Sequence, residues 1–105
     1  MPASTAYPEI IIKNDTLFTC DRYGNTGTQI AREVSNAFWS EDQSLFLITK
    51  ISGEVLTTDR YGNSIRTICK EARDARFDSG TNILVRMFDG KNRVLDKYGN
   101  LVRQL

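Results

Sequence analysis

DRYGN at Asp21–Asn25 recurs letter for letter at Asp59–Asn63, and DKYGN at Asp96–Asn100 differs from both by one basic residue. Asp at the first position of such a stretch accepts hydrogen bonds from the backbone two residues on, and Gly at the fourth takes the left-handed conformation that closes a hairpin with a one-residue bulge. DxxGN therefore reads as a hairpin turn. Its flanks agree: TLFTC leads into the first copy, EVLTT enters and SIRTIC leaves the second, NRVL enters and LVRQL leaves the third, all rich in β-branched or apolar residues. Each copy joins two strands.

The copies lie 38 and 37 residues apart, a period in the range of repeat architectures. Upstream of each lies a second tight turn, KND at Lys13–Asp15, ISG at Ile51–Gly53 and FDG at Phe88–Gly90, preceded by the apolar runs EIII, LFLIT and NILV. Farther upstream, NAFWSEDQS and DARFDSGTN match as a short aromatic strand followed by a polar turn. The unit is strand, polar turn, strand, two-residue turn, strand, DxxGN, strand. Only MPASTAY is available as an opening strand for the first repeat, so the sequence predicts 11 strands grouped three, four and four. They form one domain, 1–105, with repeat 1 over 1–33, repeat 2 over 34–71 and repeat 3 over 72–105. CKEARDAR at Cys69–Arg76 has helix-forming residues but no apolar stripe, and AREVSNAF is β-branched and interrupted by Ser-Asn. Both read as connections between strand and turn, and the fold class is all-β.

The third repeat, FDSGTNILVRMFDGKNRVLDKYGNLVRQL at Phe77–Leu105, resembles an NHL-type β-propeller blade. In that family an Asp and Gly turn leads into an I-x-V strand, a Gly-x-Asn-Arg turn, a hydrophobic strand and then Asp-x-x-Gly-Asn. Gly90, Asn92, Arg93 and Val94 fall on this pattern. The strand before DKYGN is shorter than the family's, and NDTLF and SGEVL replace Gly-x-Asn-Arg in the first two repeats. The resemblance implies blade-like antiparallel sheets. It implies no single function, since such folds host unrelated ones.

In LFLITKI one strand face carries Leu45, Leu47 and Ile51 and the other Phe46 and Ile48; in NILVRMF one carries Ile83, Val85 and Met87 and the other Leu84 and Phe88. Strands apolar on both faces are covered on both sides, as blades are by their neighbours. Three blades cannot close a ring, for propellers use about four to eight. One resolution is a half-propeller that a homodimer completes as a six-bladed ring by a closed two-fold. Another is a β-trefoil or β-prism monomer, closed within one chain, and a third is an open sheet or barrel.

The chain is 40% hydrophobic and 26% charged with a formal net charge of +1, and no apolar run approaches the length of a membrane span or signal peptide. A cytoplasmic protein with no membrane partner is the expectation. Cys20 and Cys69 fall at non-equivalent repeat positions, without redox-pair or metal-ligand spacing, and read as free thiols. The absence of histidine removes the commonest general base, the usual zinc ligand and every Ser-His or Cys-His arrangement. Asp21, Asp59 and Asp96 are accounted for by turn closure; Glu41 and Asp42 in SEDQS are a solvated loop or a cation site. Neither an enzyme nor a cofactor is expected.

Binding is the remaining class. Tyr23, Tyr61 and Tyr98 hold the same turn position beside Arg22, Arg60 and Lys97, so every repeat presents an aromatic next to a cation at one rim. Such pairs stack on a sugar, a base or a peptide side chain, and are favoured at interface centres; alternatively the rings pack over their own turns. Arg66 and Arg103 are equivalent where repeat one has Thr28, and either line a shared channel or lie at an edge. The near-neutral charge argues against nucleic acid. Trp39, where repeat three has Phe77, reads as core rather than ligand platform. The expected function is a non-enzymatic, lectin-like binding module or scaffold that self-assembles and binds a protein or glycan at the DxxGN rim. The alternative is a structural or inhibitory interaction protein with no small ligand.

Overall fold

The computed structural model describes residues 9–21, 23, 25–40, 43–78, 80 and 82–105. Among them 11 strands and no helix occur, in three antiparallel sheets whose strands pair in chain order. The first sheet is β1 (Glu9–Lys13), β2 (Thr16–Cys20) and β3 (Thr26–Ala31). The second is β4 (Val34–Ser40), β5 (Leu45–Lys50), β6 (Val55–Thr58) and β7 (Ser64–Cys69). The third is β8 (Ala72–Phe77), β9 (Ile83–Met87), β10 (Asn92–Leu95) and β11 (Leu101–Gln104). The expected number and grouping hold, and MPASTAY lies within the stretch outside the described residues.

The DxxGN copies close hairpins with three-residue loops. The Asp59 N–H donates to Asn63 O at 2.9 Å and the Gly62 N–H to Asp59 O at 3.1 Å; the third copy repeats both bonds from Asp96 and Gly99 at 2.9 and 3.0 Å. Gly62 and Gly99 have φ of +94° and +90°, and the strand register slips beside each turn, between Thr57 and Thr58 and between Val94 and Leu95. This is the expected one-residue bulge. Gly24 of the first copy lies outside the described residues.

Two local readings change. The second tight turn has two residues only in the first sheet, where Asn14 and Asp15 both take positive φ. In the other sheets a glycine, Gly53 or Gly90, lets a three-residue loop close instead, with the Lys50 N–H on Glu54 O and the Met87 N–H on Lys91 O, each at 2.8 Å. The stretches read as connections also contribute most of β4 and β8. A register slip near the start of each strand, Val34/Asn36 and Ala72/Asp74, breaks the alternation that would have shown them in the sequence.

Only Arg32–Glu33 and Lys70–Glu71 separate one sheet from the next. Glu33 and Glu71 turn the chain with φ of 56° and 62°. The residue after each, Val34 or Ala72, donates its N–H to the preceding sheet's tight turn, at Asp15 O (2.7 Å) or Gly53 O (2.9 Å). Each sheet is thereby pinned to the one before it.

The sheets stack face to face around two cores. Leu17 and Ile30 of the first meet Val34, Phe46, Ile48 and Leu56 of the second; Leu47, Val55 and Ile68 of the second meet Ala72, Ala75, Ile83, Val85 and Leu95 of the third. Leu45–Thr49 and Val55–Thr58 are buried throughout, as strands covered on both faces must be. At about 1.5–3 kcal/mol for each fully buried large apolar side chain, stability concentrates in this middle sheet.

The third sheet departs from the expectation of two apolar faces. Ile83 and Val85 point into the core, but on the outer face Leu84 and Val94 sit among Asp74, Arg76, Arg86, Asn92 and Arg103. Arg86 pairs with Asp74 at 3.6 Å. A polar outer surface of this kind caps a stack of repeats. The described residues form an open row, 42 × 28 × 19 Å, and close no barrel or ring. A middle sheet buried on both faces also excludes the trefoil and prism, which have no such layer.

Left-handed backbone costs an ordinary residue about 1–2 kcal/mol, so glycine at position 71 relieves strain that a β-branched residue increases. Glu71→Gly should leave stability unchanged or raise it by up to about 1 kcal/mol, and Glu71→Val should lower it by about 1 kcal/mol or more. Urea unfolding of the two variants measures the difference; equal effects would show that the Glu71 conformation is not what sets the link.

Candidate binding rim

The carboxylate of each DxxGN turn accepts three hydrogen bonds that close it. Asp59 Oδ1 accepts from the Tyr61 and Asn63 N–H groups at 2.8 and 3.0 Å, and Oδ2 from Asn63 Nδ2 at 2.9 Å. Asp96 makes the same set with Tyr98 and Asn100, and Asp21 with Tyr23 and Asn25. The Asn63 side-chain amide, then its backbone N–H, hold Asp59 below the ordinary carboxyl value of 3.8; the Asn100 backbone N–H leads the same effect at Asp96.

With the turn backbone held in this way, the tyrosine of each turn points outward. Tyr23, Tyr61 and Tyr98 are 78%, 67% and 52% exposed, so the rings do not pack away over their turns. Arg60 and Lys97 are exposed beside them, and Arg22 lies outside the described residues. Among the described residues neither Tyr61 nor Tyr98 stacks on another ring, and each stands on its own sheet.

The turns also touch their neighbours. A Cβ on Gly62 would lie 2.6 Å from Ile30 O on β3, and one on Gly99 would lie 2.7 Å from Ile68 O on β7. Each turn therefore leans on the last strand of the preceding repeat, with room there for a hydrogen only.

Between the second and third sheets this contact borders a groove of about 380 Å³, lined by Gln43, Leu45, Thr57, Ile65 and Arg66 from the second sheet and by Lys97 and Tyr98 from the third. The Arg66 guanidinium carbon is 5.2 Å from the Tyr98 ring centroid and Lys97 Nζ is 5.3 Å from it. Sequence symmetry had paired Arg66 with Arg103. The structure separates them, for Arg103 approaches Asp78 at 3.9 Å. The Arg66 and Tyr98 contact joins two repeats, and its one trace in the sequence is that Arg66 replaces Thr28 of the first repeat.

Other candidates are placed elsewhere. Trp39 is half-buried in the first core, its ring 4.7 Å from that of Phe46. Cys20 and Cys69 are half-buried free thiols on different sheets, and burial pushes the Cys69 thiol up to about 11 against the opposing charge of Arg93. Glu41 and Asp42 lie outside the described residues. At the opposite end of the third sheet a second cavity of about 400 Å³ has mixed charge, with Glu71, Asp89 and Arg93 beside Met87 and Phe88.

No family model and no curated protein matches the chain. The likeness to NHL-type blades is thus not confirmed at the level of family. What stands is an all-β chain of three small antiparallel sheets without a helix long and apolar enough to cross a membrane among the described residues.

Carboxyl groups whose folded value is lowered stabilise the fold above their ordinary value, and that contribution is lost as pH falls through the lowered one. Resistance to urea should therefore decline as pH is taken from about 5 to about 2. Asn retains an acceptor oxygen but carries no titrating charge, so Asp59→Asn combined with Asp96→Asn should flatten the decline. An unchanged pH profile in the double variant would show that these turns do not contribute to it.

Proposed function

We propose that the chain is a non-enzymatic binding module whose stacked, blade-like sheets present the DxxGN rim to a protein or glycan. The observation that supports this is the exposure of Tyr23, Tyr61 and Tyr98 at equivalent turns. Turn closure requires the Asp, the Gly and the Asn, and makes no demand on the aromatic residue between them. A large ring kept in solvent three times over, next to a cation wherever its neighbour is described, offers contact area at little entropic cost.

A second reading, a scaffold whose assembly face is itself its function, is favoured by one position. Ile30 and Ile68, which receive the glycine turns, are each 6% exposed, whereas Leu105, at the equivalent position of the third repeat, is 63% exposed. A second copy that set its first DxxGN turn on Leu105 would continue the stack, and two such contacts would complete a six-bladed ring from two half-propellers. The charged outer face of the third sheet weighs against an obligate dimer driven by apolar burial alone.

A screen of glycans, peptides and oligonucleotides tests the first reading, and sedimentation the second. A rim module should yield a glycan or peptide ligand whose affinity falls about tenfold or more on replacing Tyr61 or Tyr98 with Ala. A ligand indifferent to all three tyrosines would contradict it. A ring should sediment at about twice the 11.9 kDa chain mass and become monomeric with Leu105→Asp; a stable monomer at micromolar concentration would remove that reading.

A further inference from the structure

The groove between the second and third sheets has a chemistry that the rest of the rim lacks. Arg66 and Lys97 both converge on the Tyr98 ring, at 5.2 and 5.3 Å, and neither is paired with a carboxylate among the described residues. The ring quadrupole attracts each cation, but it neutralises neither, so the groove keeps two positive charges that an anionic ligand would balance. Beside the cations lie the apolar side chains of Leu45 and Ile65. The preceding joint has the equivalent Arg60 and Tyr61, yet Gly27 stands in place of Ile65 and Thr28 in place of Arg66. The groove is therefore not a by-product of repetition.

We propose that this groove binds a short acidic peptide segment. Its Asp or Glu carboxylates pair with Arg66 and Lys97, the planar guanidinium of Arg66 offering two parallel N–H donors. A neighbouring aliphatic side chain lies against Leu45 and Ile65. A peptide fits better than a sugar because Tyr98, with two cations over its ring, supports charge rather than offering an open face for stacking. The inference deepens the rim-binding reading and depends on it.

The test is fluorescence anisotropy with a labelled peptide of alternating Glu and Leu, and with its counterpart in which Gln replaces each Glu. Binding is measured to the wild type, to Arg66→Gln and Lys97→Gln, and to Lys70→Gln as a charge-matched control on the link between sheets. The Glu peptide should bind the wild type and the control alike, should bind each groove variant about tenfold more weakly, and should weaken as salt rises. The Gln peptide should not bind measurably. Circular dichroism of the groove variants, whose altered side chains are exposed, should match the wild type. Equal affinity for wild type and groove variants, or for the Glu and Gln peptides, overturns the proposal. A neutral glycan that binds and is lost on Tyr61→Ala, with the Glu peptide silent, overturns it while leaving the rim a binding surface. Silence of every rim ligand overturns both.

Discussion

The structure depends on a close approach that only glycine permits. At Gly62 and Gly99 the backbone takes a positive φ to close its own hairpin, and the missing side chain lets that hairpin press on a carbonyl of the preceding repeat, Ile30 O or Ile68 O. One residue thus serves two levels of organisation. The same contact covers Ile30 and Ile68, which join the two intersheet cores. Backbone bonds from Val34 to Asp15 and from Ala72 to Gly53 set the opposite ends of the sheets. Held at both ends, the sheets stack in one direction only.

Directional stacking makes the three sheets unequal despite their similar sequences. The middle one is buried on both faces; the third turns Arg76, Arg86 and Arg103 outward, with Asp74 and Asp78 as partners; the first leaves Ile11, Phe18 and Cys20 half-buried on its far side. The two joints differ as well. Gly27 and Thr28 leave the first joint without the side chains that line the groove at the second, where Ile65 and Arg66 stand. Repetition supplies the frame, and departures from it supply whatever is specific to one place.

Local chemistry is what a sequence displays best, and the turns were legible for that reason. Asp, Gly and Asn at fixed spacing announce a bulged hairpin, and the apolar runs between the turns give the strand number and grouping. The starts of β4 and β8 were hidden because a bulge interrupts their alternation. The polar outer face of the third sheet was hidden because NILVRMF contributes only Leu84 and Arg86 to it; the remaining charges come from β8 and β11, and register alone brings them alongside. The rim tyrosines were visible as a repeat. The Arg66 and Tyr98 contact was not, for it spans two repeats and no local pattern encodes it. Closure into a trefoil or prism failed for a related reason: three repeats count the units but do not say which faces meet.

Gly99 and Gly90 provide a matched pair for the joint. Both have φ of +90°, but a Cβ at Gly90 meets nothing within 4 Å, while one at Gly99 meets Ile68 O at 2.7 Å. Urea unfolding of Gly90→Ala and Gly99→Ala therefore separates backbone strain from contact between repeats. Gly90→Ala should cost about 1 kcal/mol for the left-handed conformation. Gly99→Ala should cost clearly more, because the turn must also lift from the preceding strand. Equal losses in the two variants would mean that the glycine turns close hairpins and nothing else, and that the stacking of the repeats has another origin.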